Sequence, residues 1–368
     1  MRIAMIGFGT VGQGVADLLA RNADDYQRRT GTALDLVAIL VRNAEAQRDV
    51  APPAGCLLTD EPGPFFDIHA DVVVEVAGGI DKAGPYVERA LSLSRDIVTA
   101  NKALIAARGT ELFALAETHR RRIRFEAAVA AAIPVVTSLT RALSANRCTA
   151  IRGILNGTCN FILTRMLEEH CGYEATLREA QRLGYAEADP TLDVSGRDTT
   201  EKLAILATLA FGGPISPDDI PTHGLEALEA EDLLLADELG YAVKLLASAA
   251  RTPDGAITMS VGPTLIPKHH DMARIPGARN AVMITGDAAG QSMLVGAGAG
   301  RYPTASAVVS DILALAQDGP PPDDGLVNPW PTGASPIVPV TDDTSKPLYV
   351  RAPLLHHDGA YEALRDHL

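Results

Sequence analysis

The segment LGYAEADPTLDVSGRDTTEKL, residues 183–203, gathers Glu187, Asp189, Asp193, Asp198 and Glu201 around a single lysine, Lys202, at the start of an apolar helical run. Ser195-Gly196 marks the start of that helix, so Asp198 and Lys202, four residues apart, project from one face one turn apart. Taken alone, such a pair is a surface ion pair worth about 0.3–0.5 kcal/mol. A lysine whose pKa is drawn toward neutrality by burial or by a second cation, for which Lys102 is the candidate, can instead take a proton from a substrate and return it. Asp193 is placed to orient such a lysine from behind, and Glu187 reaches it only if the preceding loop folds back. Asp189, before Pro190, and Glu201 read as solvated charge.

Other clusters point to less chemistry. His269-His270 and His356-His357 are adjacent pairs, without the spacing that turns two ligands toward one metal. Arg120, Arg121, Arg122 and Arg124 straddle a helix end and a strand start and read as a solvated helix terminus. Cys56, Cys148, Cys159 and Cys171 contain no C-x-x-C pair and are too sparse for a disulfide scaffold, which suits a reducing, cytoplasmic setting. With 32 Lys plus Arg against 46 Asp plus Glu, the net charge of −14 sets most of the surface against a nucleic-acid backbone. The longest apolar run, AAVAAAIPVV, is well short of the roughly 20 residues of a membrane helix, and a first strand starting at Arg2 leaves no room for a signal peptide. Neither nucleic acid nor membrane is expected as a partner.

The elements that must position these residues are visible as apolar periodicity. RIAMI (2–6), LDLVAILV (34–41), DVVVEVAGG (71–79), RDIVTA (95–100) and IRFEAAV (123–129) read as strands, with helices such as 103–119 between them. Near-continuous apolar strands alternating with helices predict an α/β fold with a parallel sheet covered on both faces. Beyond Pro134, helices are expected at 156–170, 174–183, 196–211 and 230–250, and strands at 148–154, 256–261, 280–286 and 291–296. This pattern predicts an α+β unit around a mixed or antiparallel sheet. At 368 residues the chain exceeds what one core usually serves, so two domains are expected. These are a nucleotide-binding domain over 1–133 and a substrate and dimerisation domain over 134–300, with a helix over 301–318 returning to the first. A Pro-, Asp- and Gly-rich linker or arm and a short tail occupy 319–368.

Between the first strand and the first helix lies GFGTVGQG, in which Gly7, Gly9 and Gly12 satisfy G-x-G-x-x-G. The first glycine allows the tight turn, the second lets a pyrophosphate approach the backbone, and the third lets helix and strand pack closely, with the anion at the helix N-terminus near Thr10 and Val11. A Rossmann-type dinucleotide site follows. The second strand ends in Val41-Arg42-Asn43 without the acidic residue that would hold ribose hydroxyls, and Arg42 suits a 2′-phosphate. NADP is favoured, with NAD as the alternative and Arg42 as a solvated strand end.

Six ordered motifs then resemble the homoserine dehydrogenase family from Met1 to about residue 318: GFGTVGQGV (7–15), TANKALIA (99–106), GILNGTCNFIL (153–163), LGYAEADPTLDV (183–194), GRDTTEKLAIL (196–206) and GAGRYPTASAVVSDI (298–312). The resemblance implies NAD(P)-dependent interconversion of L-homoserine and L-aspartate 4-semialdehyde, in threonine and methionine biosynthesis, by a homodimer. It implies that Lys202 is the proton donor and acceptor, that Lys102 is a second active-site lysine near the nicotinamide, and that Glu187 and Asp198 bind the amino-acid substrate; Asp193 and Thr158 are further candidates for binding it. Gly184, Gly296 and Gly298 match backbone positions close to the cofactor. FEAAVAAAIP matches a monovalent-cation site, for Na or K, with the Glu126 side chain and the carbonyls of Val129, Ala131 and Ile133.

Three departures stand out. Ala130 to Ala132 replace one or more glycines usual in the family, and SLTR replaces SLRE. Cys159 and Phe161 replace a Thr or Ser and a Tyr. A ligand-sensing regulatory domain would begin much like LYVR, yet only about one strand and one helix fit beyond it, so threonine feedback through such a domain is expected to be absent. Two alternatives stay open from sequence: an oxidoreductase for another short hydroxy or amino acid, and a non-catalytic binding homologue.

Overall fold

The computed structural model describes residues 1–187, 189–320, 328–334, 337 and 339. Its first sheet contains β1 (Arg2–Ile6), β2 (Asp35–Leu40), β3 (Leu57–Thr59), β4 (Val72–Glu75), β5 (Asp96–Thr99) and β6 (Ile123–Arg124). All pairs are parallel, in the order β3-β2-β1-β4-β5-β6. Alternate residues of each strand enter different cores. Ile3, Met5, Val72 and Val74 pack with Val15 and Leu19 of α1 (Thr10–Arg21), and Tyr26 of α2 (Ala23–Thr30) joins them. Ala4, Ile6, Val73 and Ile97 pack with α3 (Pro62–Asp67), α4 (Ala83–Ser92) and α5 (Lys102–Thr118) through Phe65, Val87, Leu104 and Phe113. Burial on both faces is why these strands read as unbroken apolar runs. The order reverses between β1 and β4, which opens a crevice at the carboxyl ends of those strands.

The second sheet is antiparallel throughout, with β7 (Cys148–Ile154), β8 (Tyr241–Arg251), β9 (Ile257–Pro267), β10 (Arg279–Gly286) and β11 (Gly290–Ala297) in the order β11-β10-β7-β8-β9. Its helices are α6 (Val135–Thr137), α7 (Gly157–Glu169), α8 (Tyr173–Arg182), α9 (Thr191–Val194), α10 (Arg197–Phe211) and α11 (Ala230–Glu238). Ile162, Leu203 and Leu233 from three of these helices share a core with Ile151, Ala247, Val261 and Val282 of the sheet. On the opposite face the paired row Met293, Met283, Arg152, Ser248, Ser260 crosses all five strands, and every residue in it except Met283 stays partly exposed. Finally α12 (Arg301–Asp318) returns to the first sheet, where Ala305, Val308 and Ile312 pack against the core around α1.

Two sequence expectations are corrected. The helix expected over 230–250 stops at Glu238; Gly240 takes a left-handed φ of 86°, and Tyr241–Arg251 is a strand paired along its length with β9. A long apolar run suits helix or strand equally, and here a partner eleven residues long decides it. The strand expected over 123–129 ends at Arg124 and gives way to a 3-10 turn, Glu126–Ala128.

Part of the expected linker is docked. Trp330, 5% exposed, stacks on Phe113 at 5.5 Å, donates from Nε1 to Thr110 Oγ1 at 3.2 Å, and fills the space beside Gly109 of α5. Thr332 Oγ1 donates to Glu117 Oε1 at 2.9 Å, and the Ile337 amide donates to the Pro214 carbonyl, just past α10, at 3.0 Å. The strand and helix expected near the C-terminus lie outside the described residues. Because Trp330 is the chain's single tryptophan and is well packed, Trp330→Ala should lower stability by about 3 kcal/mol, read as a fall in melting temperature. An unchanged melt would show that the docked segment does not stabilise α5.

Candidate active site

The glycine turn sits at the crevice. Gly7 has φ 98°, and a Cβ there would lie 2.7 Å from the Ala77 amide nitrogen beyond β4, so only glycine allows the turn. A Cβ on Gly12 would overlap the Gly7 carbonyl, whereas beside Gly9 there is open space. Thr10 and Val11 open α1, whose first N–H groups lack intrahelical partners and suit an anion. Arg42 stands exposed just past β2.

Across the crevice a network unforeseen from sequence shapes the ends of β4 and β5. Glu75, fully buried, accepts from the amides of Ala77 and Gly78, both at 2.9 Å, and from Thr99 Oγ1 at 2.7 Å. Thr99 Oγ1 accepts from the Asn101 amide at 3.0 Å. Asn101 donates to the Gly79 carbonyl at 2.7 Å and caps α5 by accepting from the Leu104 amide at 3.1 Å. The N-terminus of α5, which begins with Lys102, is thereby fixed to the Gly78-Gly79 turn. The signals were a glutamate ending an apolar strand and an asparagine before a helix.

The two lysines meet at one carboxylate. Asp198 Oδ2 accepts from Lys202 Nζ at 2.7 Å and from Asn156 Nδ2 at 2.8 Å, while its Oδ1 lies 3.3 Å from Lys102 Nζ. Lys202 Nζ also donates to the Leu155 carbonyl at 2.8 Å. Burial pushes the Asp198 carboxyl up, but Lys202 and Lys102 outweigh it and hold the group below its ordinary pKa. Burial alone would lower the Lys102 pKa, but Asp198 and Glu201 carry it above the usual lysine value. Asn156 Nδ2 also donates to Asp193 Oδ1 at 2.8 Å, and burial raises the Asp193 pKa.

Two readings of this run change. Glu201, expected as solvated charge, lies 3.6 Å from Lys102 Nζ and is largely covered, because α5 packs against this face of α10. Lys102, expected as the free cation that would lower the Lys202 pKa, is instead neutralised by Asp198 and Glu201. Asp189 stays a loop carboxylate, exposed and bonded to Thr191.

A cavity of about 310 Å³ opens onto this centre, lined by Gly78, Asn101, Lys102, Ala130, Lys202 and Gly298 among others. It joins the crevice of the first sheet to the helix that carries Asp198 and Lys202.

This chain matches two family models, "Homoserine dehydrogenase, NAD binding domain" over residues 7–126 and "Homoserine dehydrogenase" over 134–313. The homoserine dehydrogenase of Bacillus subtilis is 41% identical over 319 residues, 86% of this chain and 73% of that protein. That of Pseudomonas aeruginosa is 43% identical over 321 residues, 86% of this chain and 72% of that protein. The chain belongs to the homoserine dehydrogenase family. Among solved structures, the Thiobacillus denitrificans homoserine dehydrogenase superposes with TM-score 0.87 at 41% identity, over 92% of this chain and 79% of that one. A hyperthermophilic archaeal homoserine dehydrogenase in complex with NADPH gives TM-score 0.71 at 26% identity, over 87% of this chain and 98% of that one. The activity is that of a homoserine dehydrogenase, an oxidoreductase with an NAD(P)-binding domain.

Within that family frame, the remaining expected residues divide. Lys102, Asp198, Lys202 and Gly298 come together at the cavity. Gly296 does not line it; its Cα packs against Ile133, where a Cβ would stand 3.0 Å from Cγ1. Gly184 and Glu187 lie on the exposed turn after α8, and among the described residues Glu187 makes no ion pair with Lys202. Thr158 Oγ1 donates to the Tyr185 carbonyl at 2.6 Å, tying α7 to that turn. Glu126, buried, accepts from the Val136 and Thr137 amides at 2.8 Å each, and burial raises its pKa. The Ile133 carbonyl accepts from the Val135 amide at 2.7 Å, while among the described residues the carbonyls of Val129 and Ala131 accept no backbone hydrogen bond. Ala130 and Ala131 take left-handed φ values of 58° and 44°, which explains the family's glycines there. Among the described residues, no helix is long and apolar enough to cross a membrane.

Proposed function

We propose that Lys202 is the general acid and base for the homoserine hydroxyl in an NADP-preferring enzyme. The observation that carries this reading is the lysine's placement at the cavity, gripped by Asp198 and the Leu155 carbonyl, with Lys102 on the far side of the same carboxylate. The bound nicotinamide ring supplies the hydride acceptor, or the donor in reduction. In oxidation a neutral Lys202 takes the hydroxyl proton as hydride leaves the same carbon; in reduction its ammonium protonates the forming alkoxide. Asp198 already accepts from Lys202 and Asn156 and is ion-paired with Lys102, so its main work is to hold the two lysines. The substrate ammonium falls to Asp193, a partly buried carboxylate that a cation stabilises, and to Glu187 across the turn that Thr158 ties down.

The remaining cofactor and partner assignments belong to the same reading. Gly7, Gly9 and Gly12 with the start of α1 hold the pyrophosphate, and Arg42 holds a 2′-phosphate. A monovalent cation fits the 126–133 turn, where a buried carboxylate and two carbonyls retain acceptor capacity, and its chemistry there is to neutralise charge and fix the wall of the cavity. The open face of the second sheet supports a homodimer, tested by the molar mass in solution. Four unpaired thiols suit a cytoplasmic enzyme. The two sheets support the division into a nucleotide domain over 1–133 and a substrate and dimerisation domain over 134–300, with 301–318 returning to the first.

Three outcomes test these assignments. Lys202→Ala should lower kcat at least about a hundredfold while nucleotide still binds, and an unchanged kcat would remove the role. Arg42→Ala should raise KM for NADP about tenfold and leave KM for NAD nearly unchanged, since one charged phosphate contact is worth about 1.5–3 kcal/mol; equal effects on both would remove the phosphate contact. The melting temperature should rise in sodium or potassium chloride over tetramethylammonium chloride at equal ionic strength, and no difference would remove the cation.

A further inference from the structure

The Leu155 carbonyl that receives Lys202 has a second donor. Asn280, on β10 and fully buried, donates from Nδ2 to that carbonyl at 2.9 Å, beside the 2.8 Å bond from Lys202 Nζ. Among the described residues its buried Oδ1 has no hydrogen-bond partner, a cost that calls for an explanation. The amide orientation is settled by chemistry, because the opposite one would turn oxygen against oxygen. The carboxamide lies flat on Gly298, where a methyl group would overlap its Nδ2, Cγ and Oδ1 together. Gly298 in turn lines the cavity. The carboxamide is thus held in a slot one glycine thick behind the wall of the active site, in line with the carbonyl that grips the lysine.

We propose that Asn280 is a positioning residue for Lys202, acting through the Leu155 carbonyl, and that residue 298 must be glycine to leave that carboxamide its place. The inference rests on the acid–base reading of Lys202. Two donors share one carbonyl oxygen, so each weakens the hold of the other. Asn280 fixes the direction of the carbonyl and at the same time reduces its preference for the ammonium form of the lysine. Among the described residues the charged or titratable groups coupled to the ammonium include Asp198 on α10, Asp193 on α9 and the Cys159 thiol on α7, with Lys102 on α5 across the Asp198 carboxylate and itself paired with Glu201, while the Asn280 side chain on β10 is neutral. A shift on altering Asn280 therefore comes from the shared carbonyl rather than from a lost charge.

The test is the pH profile of homoserine oxidation in the full-length enzyme, with melting temperature and nucleotide affinity recorded for each variant. Asn280→Leu, nearly equal in volume and without a donor, should move the ionisation controlling kcat upward by about half a pH unit or more, since the carbonyl then holds the ammonium more strongly. Activity near neutrality should fall and return at higher pH, with KM for nucleotide unchanged. Gly298→Ala, which displaces the same carboxamide from the other side, should shift the profile in the same direction. Asn280→Ser, which keeps a hydroxyl donor in a smaller volume, should lie between wild type and Asn280→Leu and serves if Asn280→Leu does not fold. A merely structural role would lower the melting temperature and scale kcat equally at all pH values. That result in folded Asn280 variants overturns the inference. If Lys202→Ala itself keeps wild-type kcat, the acid–base reading falls instead, so the two failures are distinguishable.

Discussion

A carboxylate buried between two ammonium groups is the interaction on which the rest of this structure depends. Asp198 cannot be ionised and buried without partners, because the effective cost of dehydrating such a charge is several kcal/mol. One partner, Lys202, is local, four residues on along α10. The other, Lys102, begins α5 and arrives from the parallel sheet. The triad is therefore a tie between the two sheets as well as a piece of chemistry. The cavity lies where it does because the charge that needs company and the helix that brings it belong to different units.

Around this triad the structure relies on buried asparagines. Asn101 caps α5 and holds the Gly79 carbonyl. Asn156 caps α7 and bridges Asp193 to Asp198. Asn160 joins the Ile275 and Arg279 carbonyls and accepts from Lys244, a buried lysine whose pKa burial lowers to about 8. A carboxamide donates and accepts without adding charge, so it can link like-charged groups that would otherwise repel. Asn156 does this most directly: it gives one hydrogen to each of two carboxylates, while its oxygen stays on the backbone.

The nucleotide side is pre-organised by comparable means. Glu75 sits at the end of β4 with its oxygens taken by two amides and a hydroxyl, which shapes the Gly78-Gly79 turn before any ligand arrives. On the outer side of α5, Trp330 stacks against Phe113 and presses on Gly109, and the Ile337 amide reaches Pro214 beyond α10. The helix that delivers Lys102 is thus held at its N-terminus by hydrogen bonds and along its back by aromatic packing.

Much of this was legible in the chain as written. The glycine turn, the apolar strands of the first sheet, the Asp198–Lys202 spacing and the six family motifs depend on local periodicity or on residue types a few positions apart, and local geometry carries them. Sequence could not show that Glu201 faces Lys102 rather than solvent, that Lys102 is neutralised rather than free, or that Tyr241–Arg251 is a strand. Each of those depends on a partner distant in sequence: α5 against α10, and β9 beside β8. Nor could it show that Asn280 shares the Leu155 carbonyl with Lys202, since those three residues lie on a strand, a loop and a helix far apart in the chain. What the sequence determined alone is most of the elements and the charges they carry; which charges are buried together was decided by packing, because the cost of dehydration exists only once the helices close over them.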